Sequence, residues 1–151
     1  MLTQYVLLAV FGIAMAHFEG VVVVYLRKAI GLLDADSEAG NKELLEQVPK
    51  LTIKIEMTRE AATIIMLVTL ALLVGNSWLD RAMVFLWTFA FWDLFYYVSL
   101  YVVIKWPPRL TTTDVLFLIP RPWIAPVWFP VGISTLTIIG IGVFYLFPAI
   151  S

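Results

Sequence analysis

Six ionisable residues of this chain sit where its long apolar stretches should lie in lipid, clear of the basic residues that mark their ends: His17, Glu19, Glu56, Arg59, Glu60 and Asp93. A charge at the centre of a bilayer costs about 2.5–3.5 kcal/mol even on the mildest scale. Such groups persist when they are paired, bound to a metal or lining a wet path. Four acids against one arginine and one histidine leave negative charge over, and a divalent cation balances it with few atoms. Carboxylates from several helices of a bundle bind iron, manganese or zinc in this way. The metal ligands expected on this ground are Glu19, Glu56, Glu60 and Asp93, with His17 as a ligand or its neighbour. Arg59 would tune the charge, while Tyr97 and Thr63 would hydrogen-bond the ligands, Tyr97 also standing ready for redox chemistry.

Two other classes of function compete. In one, Arg59 and His17 neutralise part of the acid, buried pairs fix the helix register, and the chain is a non-catalytic subunit of a larger membrane complex. In the other, the acids line a proton or cation path in an oligomer. No catalytic residue is named by any motif. The Glu-x-x-His spacing of di-iron bundles is absent, and a single histidine rules out bis-histidine haem and histidine-rich sites. The absence of cysteine rules out disulfides, iron–sulfur clusters and thiol catalysis. A phosphate-binding glycine loop and the H-E-x-x-H motif are also missing. His17 is the sole candidate base for a nucleophilic triad, and no serine is expected at its depth.

The elements that must carry these residues follow from composition. Of 151 residues, 62% are hydrophobic and 14% charged, against about 45–50% and about 25% in soluble chains. The bilayer is the solvent that tolerates this excess, and no basic patch suggests a nucleic-acid partner. Crossing a hydrocarbon core takes about 20 residues. Four runs are long enough, at about residues 2–33, 51–74, 81–104 and 126–147, so the fold class expected is an all-α integral membrane four-helix bundle in a single domain. The first run lacks a basic leader and is read as a retained helix. The link 34–50 is polar, with Lys42–Glu46 expected as a short surface helix. Gly75 to Asp80 is a tight turn. The segment 105–125 is rich in proline and tryptophan and is expected to lie in the membrane interface, with Thr113 capping a short helix that starts at Asp114.

Orientation follows from lysine and arginine. The first and third links with their flanks carry nine of them and the second carries only Arg81. Both termini are therefore expected outside, in the periplasm of a prokaryote, with the protein in its inner membrane. At about 1.5 Å per residue, Glu19 lies roughly 12 Å and His17 roughly 15 Å from the cytoplasmic boundary at Arg27. Glu60 and Asp93 fall at overlapping depths, so three helices bring acids to one layer. On the first helix Gly12, Ala16 and Gly20 form a small-residue stripe suited to close packing. Glu19 and His17 flank it on opposite sides. On the second helix Glu56, Glu60, Thr63 and Leu67 share a face; on the third, Asp93, Tyr97 and Tyr101 do. The fourth helix has no ionisable group and is expected to close the bundle, with Gly140 and Gly142 serving close packing.

The expectation is a small multi-pass membrane protein with a mono- or dinuclear carboxylate-rich metal site acting on a lipophilic substrate. Iron would suit oxidation, and zinc would suit hydrolysis or structural support. The partners expected are the bilayer, a lipophilic small molecule, and a second copy or a membrane complex.

Overall fold

The computed structural model describes residues 2–29 and 48–146. It contains helix α1 (Leu2–Ala29), α2 (Lys50–Val74), α3 (Trp78–Ile104), strands β1 (Thr113–Phe117) and β2 (Trp123–Pro126), and helix α4 (Trp128–Leu146). All four helices are long and apolar enough to cross a membrane. The end of the first run, at 30–33, and the surface helix expected at Lys42–Glu46 lie outside the described residues.

Helix α3 is the hub, packing against α1, α4 and α2, whereas α1 and α2 share no extended contact. The small-residue stripe explains the α1–α3 seam. Gly12, Ala16 and Gly20 are all buried. A Cβ on Gly12 would sit 2.9 Å from the Thr88 carbonyl oxygen, and one on Gly20 2.8 Å from the Ser99 hydroxyl. The two backbones touch because these side chains are missing. The core is stacked in three layers along the bundle. Tyr5, Leu8, Ala71, Val84 and Ile141 fill one end. Ala16, Leu67 and Trp92 fill the middle, and Tyr97, Leu100, Trp106 and Val127 fill the other end. Outward-facing positions are apolar too, with Leu73, Leu136 and Val102 among the most exposed. The aqueous rule that exposed faces are polar fails here, as it does for helices solvated by lipid tails.

Helix α3 begins three residues before the expected start, because Ser77 caps it. The Ser77 hydroxyl accepts the Asp80 amide at 3.1 Å, while the Asp80 carboxylate accepts the Asn76 amide at 2.9 Å. The helix ends at Lys105, whose left-handed backbone (φ 57°) turns its N–H onto the Tyr101 carbonyl.

The segment after α3 corrects the sequence reading. Asp114 does not open a helix and Thr113 does not cap one. Thr113–Phe117 is a strand, paired antiparallel with Trp123–Pro126 in the register Thr113↔Pro126, Asp114↔Ala125, Val115↔Ile124. Threonine, valine and phenylalanine favour the extended backbone, and Pro120 and Pro122 keep the connection too short for helix. The pairing also delays α4 to Trp128, since Ala125 and Pro126 belong to the hairpin. At its base the Val127 amide donates to the Thr112 carbonyl and the Trp128 amide to that of Leu110. A second correction concerns α4: a Cβ on Gly132, Gly140 or Gly142 would meet open space, so these glycines pack against nothing among the described residues.

Candidate functional site

Arg59 sits at the centre of the polar layer. Its Nη1 lies 2.8 Å from Glu19 Oε1, across the gap between α2 and α1. Its Nε donates to Glu56 Oε2, one turn earlier on α2, also at 2.8 Å. The second oxygen of Glu19 accepts the Trp92 indole N–H from α3 at 2.7 Å. Glu19 therefore has both oxygens satisfied by charged or strongly polar donors, which is the condition for keeping a carboxylate away from water. Glu19, Glu56 and Arg59 are thus joined by direct contact between α1 and α2.

The other acids are engaged separately. Glu60, 8% exposed, accepts the backbone amides of Leu118 at 2.8 Å and Ile119 at 3.1 Å, one on each carboxylate oxygen. Asp93 accepts the Ser134 hydroxyl of α4 at 2.7 Å through Oδ2. The fourth helix thus contributes a polar partner that its lack of charge concealed. Asp114, 6% exposed, accepts the Tyr97 hydroxyl at 3.2 Å, and its other oxygen lies 3.9 Å from Arg27. The Arg27 guanidinium lies 4.0 Å above the Trp106 ring, a cation–π contact. Burial pushes the Asp114 carboxyl up to about 6, against the opposing pull of Arg27.

These groups surround one cavity of about 170 Å³, bounded by α1, α2, α3 and β1. Its walls hold the five carboxyls of Glu19, Glu56, Glu60, Asp93 and Asp114 and the two guanidiniums of Arg27 and Arg59. Acids exceed fixed cations there by three. Trp92, Tyr96, Tyr97 and Trp106 supply aromatic surface between the charges.

Two residues expected at the site are elsewhere. His17 lies on the other flank of the α1 stripe, where its Nδ1 is 2.9 Å from the Ser99 hydroxyl. That contact corrects the expectation that no serine reaches its depth. Thr63 is buried, but its hydroxyl donates to the Arg59 carbonyl at 3.1 Å along its own helix. It braces the arginine's backbone and touches no acid. Tyr97 lines the cavity and serves Asp114 rather than Asp93.

The expected metal cluster does not assemble. Among the described residues no three histidine, aspartate or glutamate side chains form a group that could hold a metal ion. The physical reason is competition: Arg59 occupies the space between Glu19 and Glu56, the hairpin amides hold Glu60, and Ser134 holds Asp93. Sequence reasoning missed Asp114, Arg27 and Trp106. Asp114 was hidden by the expected helix start, and the other two were taken as boundary markers.

No protein-family model matches the sequence, and no curated protein or solved structure matches it either.

Proposed function

We propose that the chain is a multi-pass inner-membrane protein of a prokaryote, with both termini outside, that binds a cation in the carboxylate-lined chamber between α1, α2 and the hairpin. The excess of three acids over fixed cations in one cavity carries this reading. In a medium of low dielectric such an excess is costly, and an incoming cation relieves it. The nine-to-one bias of basic residues supports the orientation.

An organic ammonium group on a lipophilic molecule suits the chamber best. Cavities of about 150 Å³ take up a ring the size of benzene, so about 170 Å³ holds an ammonium head rather than one dehydrated ion. Aromatic faces interleaved with carboxylates are the surroundings such a head prefers. The gap between α1 and α2 would let its tail lie outside the bundle. A divalent ion, iron, zinc or manganese, is the second reading, favoured by Asp93 Oδ1 and Glu56 Oε1, which have no hydrogen-bond donor among the described residues. Metal chemistry on a lipophilic substrate would follow only from that second occupant.

The test is titration calorimetry of the nanodisc-embedded protein with hexylammonium, and separately with Zn²⁺, Mn²⁺ and Fe²⁺, beside elemental analysis of the purified protein. Saturable hexylammonium binding that disappears in Asp93→Asn is the expected result. A stoichiometric metal with no response to hexylammonium would select the second reading. Silence in both arms would overturn cation binding altogether.

A further inference from the structure

We infer that the tip of the β-hairpin is a hinged roof over the chamber and that the Glu60 carboxylate is its latch. The hairpin is held in two different ways. Its base is built into the helical bundle. Val127 and Trp128 amides donate to the Thr112 and Leu110 carbonyls at 2.9 and 2.8 Å, and Asp114 is tied to Tyr97 of α3. Phe117, the last residue of β1, still stacks against Phe89 of α3. Beyond Phe117 the chain leaves the bundle. Ile119, Pro120, Arg121 and Pro122 are exposed, and Trp123, where β2 begins, meets the Phe129 ring of α4 edge-on at 5.6 Å. Among the described residues, the hydrogen bonds that tie this tip to a helix are the two that Leu118 and Ile119 donate to Glu60.

Three features make this a latch rather than an ordinary cap. First, Glu60 comes from α2, the helix with the least contact to α3 and no extended contact to α1, so the bonds join the two most loosely attached parts of the described fold. Second, both oxygens of one side chain carry both bonds, so a single change removes the hydrogen bonds of the tip to α2. Third, Glu60 and Leu118, the first residue of the tip, belong to the wall of the same chamber, so moving the tip opens that part of the wall. The hinge lies beyond Phe117, whose ring is the last point at which β1 is anchored to α3.

The cysteine-free sequence allows labelling without background. Spin labels at Lys54→Cys and Arg121→Cys report the α2-to-tip distance, and labels at Lys54→Cys and Thr111→Cys report α2 to base. In the nanodisc-embedded full chain, Glu60→Ala is expected to broaden the first distribution and leave the second narrow. If Glu60→Ala fails to fold, Glu60→Gln, which keeps the shape and loses the charge, serves with hydrogen exchange read by NMR. Exchange at the Leu118 and Ile119 amides should then speed up roughly tenfold, as loss of a charge-assisted bond implies, while Val127 and Trp128 stay within about twofold. A tip distance or tip exchange rate that is unchanged in these variants overturns the latch. So does broadening of tip and base together, since that is unfolding of the whole hairpin. These readouts need no ligand, so cation binding and the latch stand or fall separately.

Discussion

The bundle carries polar groups at both ends, and they are built differently. At one end Tyr5 donates to Tyr145 at 2.6 Å, with Asp80 at 3.5 and 3.4 Å from the two hydroxyls. The Trp87 indole donates to the Tyr5 carbonyl, and Gln4 to that of Val74. These rings pack directly, Tyr5 tilted against Tyr145 at 4.7 Å and edge-on to Trp87 at 5.5 Å, and leucine, alanine and valine fill the spaces between them. A single carboxyl serves several donors there. At the other end five carboxyls share two guanidiniums around a cavity. The same residue types are thus used once as glue and once as the lining of a space. Glue satisfies itself and fills its volume. The lining retains an electrostatic imbalance, and it is this imbalance that separates a candidate site from a well-tied helix end.

The comparison breaks most visibly at Arg59. Removing one partner of a buried ion pair leaves the other charge uncompensated and typically costs about 3–5 kcal/mol. Arg59→Met strands both Glu19 and Glu56, but the Arg59 side chain is 25% exposed, so the loss should fall at the lower end of that range in SDS-titrated unfolding. Adding Glu19→Gln and Glu56→Gln should recover most of it, because the penalty lies in the stranded charge. Recovery that fails would mean that Arg59 matters through its aliphatic packing instead. In its folded fraction the single variant should bind hexylammonium more tightly, since the acid excess has grown.

Asp114 gives the next effect, and it depends on pH. Its carboxyl is pushed up to about 6 by burial, against about 3.9 in an unfolded chain. The folded state therefore holds a proton that the unfolded state releases between those values. Stability from this group is fully present below about pH 4 and is lost as pH rises through about 6, for a total of up to about 3 kcal/mol. Asp114→Asn removes the titration. The gap in melting temperature between Asp114→Asn and the parent chain should shift in favour of the variant as pH rises from 4 to 7. A gap that stays constant would mean that Asp114 is better solvated than its place in the chamber wall implies.

How much of this was legible beforehand varies with range. The four helices could be read from hydropathy alone, because lipid-solvated helices must be apolar all round and about 20 residues long. The Gly12–Ala16–Gly20 stripe was legible because helical spacing fixes which residues share a face. The hairpin was not. Val115–Ile119 is a short apolar run with no period that separates helix from strand, and what decides it is pairing with Trp123–Pro126, across two prolines. Losing the hairpin also lost Asp114, the Glu60 amide contacts and the roof of the chamber. The metal expectation gains no support for a related reason. Counting acids at one depth gives their net charge, but their partners depend on side-chain direction, and Ser134 and the hairpin amides were invisible to a charge count.

The stripe sharpens the comparison at about 1–3 kcal/mol, the usual range for overpacking. A methyl at Gly12 meets the Thr88 carbonyl, which is backbone and cannot turn aside. One at Gly20 meets the Ser99 hydroxyl, whose side chain can rotate away from His17. Gly12→Ala should therefore cost more than Gly20→Ala in the same unfolding assay, and equal costs would show that Ser99 is held as rigidly as the main chain.

The smallest effect tests the glued end directly. Tyr145→Phe removes one hydroxyl that accepts from Tyr5 at 2.6 Å and approaches Asp80 at 3.4 Å, while the ring stack survives. Tyr5 can still turn its hydroxyl to Asp80, 3.5 Å away, so no buried donor is orphaned. The cost should stay near that of a single neutral hydrogen bond, about 0.5–1.5 kcal/mol, with cation binding in the chamber unchanged. A loss as large as that of Arg59→Met would mean that the Tyr5–Tyr145–Asp80 cluster also carries uncompensated charge, and the two ends would no longer differ in kind.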